Sequence, residues 1–170
     1  MPDNEITALF LETSRKSLFD TYLPRLREAV APLTVEQVWW RPNPASNSIG
    51  NLLLHLNGNI GQWIVAAFNK DEDKRNRPAE FATEGGLTAA ELLDRLSATL
   101  DQVRAVLARL TPAELLARYQ IQGYDCSGLY AVYHVVEHFG LHYGQILYIA
   151  KSLTAKDLGF YKELDKTGRP

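Results

Sequence analysis

The chain holds a single cysteine, Cys126, among its 170 residues, so no intrachain disulfide can form. That agrees with a reducing compartment, and the cytoplasm is the expected location. No run approaches the ~20 apolar residues of a membrane-spanning helix. The opening MPDNEITALF carries acids where a secretory signal would carry a basic start. Neither sign of charge dominates, with 18 Lys and Arg against 20 Asp and Glu and a formal net charge of −2. Without a cationic excess to neutralise phosphates, nucleic acid is not an expected partner, and neither is a membrane. Strand-like alternation of any length is missing, as is any internal repeat, which excludes sheet-based and solenoid architectures.

What remains is an ordinary globular composition, 46% hydrophobic and 22% charged, that reads as one domain over residues 1–170. A domain of this size buries roughly 70% of the surface its unfolded chain exposes, so it needs no structural metal in order to fold. The apolar residues Ile6, Leu9, Phe10, Phe19, Leu23, Leu26 and Val30 predict a long amphipathic helix over 6–30. Thr34 with Gln37 forms a capping box for a short turn holding Trp39 and Trp40, and Arg41-Pro42-Asn43-Pro44 forces an extended connector. Asn47 or Ser48 caps a second helix running to residue 69, with Ile49, Leu52, Leu53, Leu56, Ile60, Trp63, Ile64 and Phe68 facing inward. The charged run 70–77 reads as a solvated, mobile loop crossing the end of a bundle.

Thr88 and Glu91 open a third helix, to residue 110, with Leu92, Leu96, Leu100, Val103 and Leu107 inward. Thr111-Pro112-Ala113-Glu114 restarts a short helix before a connector at 119–125. Ser127 caps a fourth helix over 127–153, which at ~1.5 Å per residue is nearly 40 Å long and apolar on most sides. It is therefore central or at an interface. The fold expected is an all-α four-helix bundle with short extra helices in its connectors.

Only four histidines occur, and three of them, His134, His138 and His142, are spaced four apart on the fourth helix. A step of four turns the helix by about 40° and rises about 6 Å, so neighbouring members can share one cation. His134 and His142 would stand about 12 Å apart, so one ion takes an adjacent pair plus a ligand from elsewhere. His55, mid-face on the second helix, is the remaining imidazole. Three neutral imidazoles leave coordination positions open, the mark of a catalytic rather than a closed structural site. The competing reading, hydrogen-bonded core histidines, suits a lone histidine better than an i, i+4 pair with a third on a facing helix. Asn51, one turn before His55, and Gln145, three residues after His142, are candidates to hold the outer ring nitrogens. Glu137 adjoins His138 but points about 100° away. His134 is a candidate substrate-side base. Cys126, near the start of the fourth helix, is either a dipole-activated thiol or, more simply, a small buried residue. The aromatics Trp39, Trp40, Trp63, Tyr124, Tyr130 and Tyr133 read mainly as core.

The segment Ser48-Ile49-Gly50-Asn51-Leu52-Leu53-Leu54-His55-Leu56, together with His138-Phe139-Gly140-Leu141-His142-Tyr143-Gly144-Gln145-Ile146, resembles the two signature blocks of the DinB/YfiT-like family of metal-dependent proteins. The block from Leu33-Thr34 to Trp40-Arg41-Pro42 resembles that family's connector, and the likeness spans essentially the whole chain. This is the damage-inducible bundle family, not the DNA polymerase of the same name. The resemblance implies an up-down-down-up bundle, commonly a homodimer, with a divalent metal on His55, His138 and His142 and with His134 one turn outside. Tyr143 stands where many relatives have arginine, so a substrate contact by that arginine does not carry over.

The resemblance further implies a metal-dependent enzyme of the kind that transfers low-molecular-weight thiols such as bacillithiol or mycothiol, acting in detoxification or stress response on a small-molecule substrate. Imidazole donors suit zinc or nickel first and iron next. No carboxylate base is evident at a metal-facing position, which favours a thiol that ionises on the metal. The alternatives are metal-assisted hydrolysis and a non-catalytic metal-binding stress-response bundle.

Overall fold

The computed structural model describes residues 2–162. Helix α1 (Pro2–Arg15) continues through a π-helical stretch (Lys16–Tyr22) into α2 (Leu23–Val30), giving one unbroken rod. A short α3 (Val35–Trp39) follows. The second rod is α4 (Ile49–Ile60), another π-helical stretch (Gly61–Ala66) and α5 (Ala67–Asn69). After α6 (Arg77–Ala82) come the third rod, α7 (Ala89–Arg109), and α8 (Pro112–Leu116). The strands β1 (Arg118–Ile121) and β2 (Tyr124–Ser127) lead into the fourth rod, α9 (Gly128–Thr154).

Side-chain pairings fix the direction of each rod. Arg27 reaches Ser97 and Asp94 while Arg104 lies over the Phe19 ring, so the first and third rods are antiparallel. Asn57 accepts from Thr99 and the Phe68 carbonyl from Arg109, so the second and third run together. His55 meets His138 and Trp63 meets Tyr130, which makes the second and fourth antiparallel. The order is therefore up-down-down-up. Only the connector between the second and third rods, which run parallel, must cross the length of the bundle, and α6 lies on it.

The capping residues act as their chemistry predicts. Thr34, Thr88 and Thr111 each accept from the backbone N–H three residues on and are answered by Gln37, Glu91 and Glu114. Ser48, rather than Asn47, caps α4. The inward faces expected for the second and third rods are buried throughout.

Four expectations need correction. Trp40, Tyr124, Tyr130 and Tyr133, read with the core, are 42–62% exposed. Ile6 and Leu9 are largely exposed, because the buried stripe of the first rod runs instead through Leu11, Ser14, Leu18 and Phe19. The charged run 70–77 is not simply a solvated crossing: Arg77 opens α6, Asn76 caps it, and the Arg75 side chain is 4% exposed. The connector 119–125 belongs to an antiparallel hairpin with Arg118 opposite Ser127 and Ile121 opposite Tyr124. Its two-residue turn places both Gln122 and Gly123 at positive φ, 53° and 82°, a geometry that glycine tolerates and that matches strand twist. Four-residue strands are too short to show the alternation by which strands are read.

Candidate metal centre

The α4 end of the site begins with its cap. Ser48 Oγ accepts from the Asn51 N–H at 3.1 Å and donates to Asn51 Oδ1 at 2.7 Å. The Asn51 amide then donates to the carbonyls of Glu80, at 3.0 Å, and Thr83, at 2.7 Å. This fully buried side chain thus ties α6 across α4 and sets Glu80 beside His55, one turn along. His55 is 5% exposed, its Nδ1 lies 2.9 Å from Glu80 Oε2, and Phe81 packs on its ring at 4.8 Å. Glu80 is in turn held by Arg75, whose Nε donates to Oε1 at 2.7 Å and whose Nη2 donates to Oε2 at 2.9 Å. Burial disfavours the Glu80 carboxylate, but hydrogen bonds from Arg75 and His55 outweigh it and hold the group below its ordinary pKa. Gly58, one turn after His55, leaves the room: a Cβ there would overlap Glu80 Oε1 and lie 3.0 Å from Arg75 Nε.

From α9, His138 and His142 project toward the same point, as an i, i+4 pair must. The Nε2 atoms of His55 and His138 are 3.0 Å apart, those of His138 and His142 3.1 Å apart. One ligand atom from each histidine falls within 4.8 Å of the others. His142 Nδ1 lies 2.7 Å from Gln145 Oε1, the partner that fixes its outer nitrogen. When His55 and His142 are neutral and donate Nδ1–H to Glu80 and Gln145, both Nε2 atoms carry lone pairs. Only a proton on His138 Nε2 could bridge the contacts otherwise, and it could serve one neighbour and not both. A cation satisfies all three at once, so this donor set could hold a divalent metal ion. Burial, reinforced by the neighbouring histidines, pushes His138 down to about 3, which keeps its imidazole neutral. Burial also lowers His142.

The other residues singled out from the sequence fall in different places. His134 lies outside the trio, stacked on His138 with ring centroids 5.3 Å apart and tilted against Trp63 at 4.0 Å. Asn59 Nδ2 stands 3.4 Å from His134 Nε2, and burial lowers the His134 pKa. Two buried polar atoms beside this layer, Asn59 Oδ1 and His138 Nδ1, have no hydrogen-bond partner among the described residues. Asn51 touches no histidine; its effect on the site runs through α6. Glu137 is exposed. Cys126 is buried in β2, where desolvation raises its thiol pKa, so the packing reading holds and the activated-thiol reading does not. Glu80, Arg75 and Gly58 were not legible as site residues: Glu80 is 25 positions from His55, in a stretch between the charged run 70–77 and the Thr88 cap to which the sequence assigns no element. The legible signal was Asn76 before Arg77-Pro78, a helix start that would have placed Glu80 on an ordered element.

A sequence model of the DinB superfamily matches residues 18–146. Among solved structures, a conserved protein from Enterococcus faecalis is similar with a TM-score of 0.70 at 20% identity, over 89% of this chain and 98% of that one. A DinB-like protein from Bacillus cereus is similar with a TM-score of 0.65 at 15% identity, over 85% of this chain and 90% of that one. No curated protein matches.

Proposed function

This chain belongs to the DinB superfamily, and from that footing we propose that it is a metal-dependent enzyme acting on a small-molecule thiol, with one divalent transition metal held by His55, His138 and His142. The observation that carries this is the convergence of three Nε2 atoms, two of which have their outer nitrogens already engaged by Glu80 and Gln145. A bound metal of this class supplies Lewis-acid activation of a thiol or water. Zinc and nickel are the first metals to test, then iron.

The chain's own residues favour thiol transfer over hydrolysis. Both Glu80 oxygens are taken by Arg75 and His55, so the carboxylate nearest the cluster is not free to act as a base on water. A thiol is acidic enough to ionise without one. The site is closed by α4 and α6, where His55 is buried, and opens along α9, where His138 and His142 are only half-buried. Substrate therefore enters along α9. His134, one turn outside the trio, is the candidate we keep for exchanging the substrate proton, which requires the ring nitrogen that does not face Asn59 Nδ2.

The partner we assign is a second copy of the chain, seated on the exposed α9 stripe of Tyr133, Leu141 and Tyr148, where a Cβ at Gly144 would meet nothing within 4 Å.

The test is metal content after purification without a metal-binding tag, in the native chain and in folded His55→Ala and His138→Ala/His142→Ala variants. About one equivalent, lost in the variants, is expected. No metal after reloading with zinc or nickel refutes the proposal. Given a loaded chain, consumption of free thiol in the presence of electrophiles supports transfer. Cleavage of an ester or amide panel instead identifies a hydrolase, and saturable binding without turnover identifies a metal-binding bundle.

A further inference from the structure

We infer that Arg75 is a positioning residue for this centre, acting through Glu80: its guanidinium fork locks the carboxylate that fixes the orientation and tautomer of His55. The inference rests on the metal reading above. Arg75 closes a run of exposed charged residues, Asp71 to Lys74, yet its own side chain is buried. All three groups of its fork are used, Nε on Glu80 Oε1, Nη2 on Glu80 Oε2 and Nη1 on Gln62 Oε1 at 2.8 Å.

The loop that delivers this side chain is itself pinned. Asp73 Oδ1 accepts from the Arg75 N–H at 3.0 Å, and Asp73 Oδ2 accepts from Gln62 Nε2 at 2.6 Å. Asp73, Gln62 and Arg75 thus form a closed ring of hydrogen bonds anchored on the second rod. A carboxylate holding an imidazole by one oxygen can still swivel about its terminal bond. Two parallel bonds from a planar fork remove that freedom. The fork also sets a positive charge against a buried negative one, without which the carboxylate would stand uncompensated.

Arg75 Nη2 also lies 3.1 Å from His55 Nδ1. If that contact were a hydrogen bond to a ring lone pair, the proton would sit on Nε2 and the site could not bind a cation. Nη2 and Nδ1 instead share one acceptor, Glu80 Oε2, at 2.9 Å each, and an ionised carboxylate is the stronger acceptor. His55 is therefore Nδ1–H, with its Nε2 lone pair facing His138 and His142.

The experiment uses the full chain. Long-range 15N–1H NMR of metal-free protein reads the His55 tautomer, and Co2+ titration against a chelator reads affinity. Native protein is expected to show Nδ1–H alone. Arg75→Met and Glu80→Gln are expected to mix the tautomers and to weaken Co2+ binding about 10–100-fold. Because Arg75 acts through Glu80, the double variant should bind within about threefold of Glu80→Gln alone. Arg75→Lys keeps a charge and loses the fork, so it should fall between native and Arg75→Met; it also serves should Arg75→Met not fold. A retained Nδ1–H tautomer with near-native affinity in the Arg75 variants, or losses that multiply in the double variant, overturns the inference alone. A native chain that does not bind Co2+ overturns the metal reading and this inference with it.

Discussion

Replacing Gly58 by alanine separates what a helix prefers from what this site requires. In a helix interior the change gains about 1 kcal/mol, since alanine loses less backbone freedom on folding. Here the added Cβ would overlap Glu80 Oε1 and stand 2.9 Å from its Cδ. Neither neighbour yields easily, because Arg75 and His55 hold that carboxylate from both sides. Moving it forfeits a charge-assisted hydrogen bond worth about 1.5–3 kcal/mol. The expected balance is a net loss of about 0.5–2 kcal/mol, which for a chain of this length lowers Tm by about 1–8 °C. Gly61→Ala is the control. Its Cβ meets only Thr99 Cγ2, at 3.7 Å, an ordinary contact, so the propensity gain should survive and raise Tm by about 2–4 °C. Thermal unfolding of both metal-free variants by circular dichroism decides the matter. If Gly58→Ala melts at or above Gly61→Ala, the packing of Glu80 against α4 does not have the role given to it.

Three further outcomes are expected. In the metal-free chain, His138 is held near 3 by burial and its neighbours against about 6.5 when unfolded. The unfolded state then binds more protons between those values, so this group makes stability rise with pH from about 3 to about 6.5 and leaves it flat above. Urea midpoints at pH 7.5 and pH 5 should differ more in native protein than in His138→Asn, and an undiminished difference in the variant refutes the assignment. Asn51→Ala removes the reciprocal cap and strips the Glu80 and Thr83 carbonyls of their donor; a loss of about 2–3 kcal/mol in urea unfolding is expected, and a loss below about 1 kcal/mol would mean that α6 is held by something else. Leu141→Glu and Tyr148→Glu should convert a dimer to a helical monomer in light scattering; a native monomer, or variants that remain dimeric, removes α9 as the interface.

Much of the architecture was legible because the capping residues and the period-3.6 faces agree with one another. Thr88 and Glu91 mark a helix start that tertiary structure has no reason to override, and Leu92 through Leu107 carry one unbroken face. The hairpin was hidden because β1 and β2 have four residues each and depend on a Gln-Gly turn rather than on pattern. Ile6 and Leu9 misled because apolar spacing reports which residues could face inward, not which of them are covered in the fold. At the site, the i, i+4 histidines announced themselves, since helical geometry alone brings them together. The support around His55 did not: that Glu80 lies against it depends on Asn51 catching two carbonyls some thirty positions on, a contact that no local periodicity encodes. Arg75 was concealed further by its company, since one buried arginine at the end of a solvated charge run looks like its neighbours.

The three histidines also differ in what they demand of the folding chain. His138 and His142 share one helix, so under the proposed metal reading a few turns of α9 would bring the pair together with no tertiary structure. His55 lies 83 positions from His138 and arrives only when the second and fourth rods dock antiparallel. Closing so long a segment of chain is entropically costly, and an ion already captured by the helical pair would reward the one docking register that presents a third imidazole. A metal added before refolding can thus act as a template for topology, selecting the antiparallel pairing over its alternatives. The same ion added afterwards can only reinforce a choice already made.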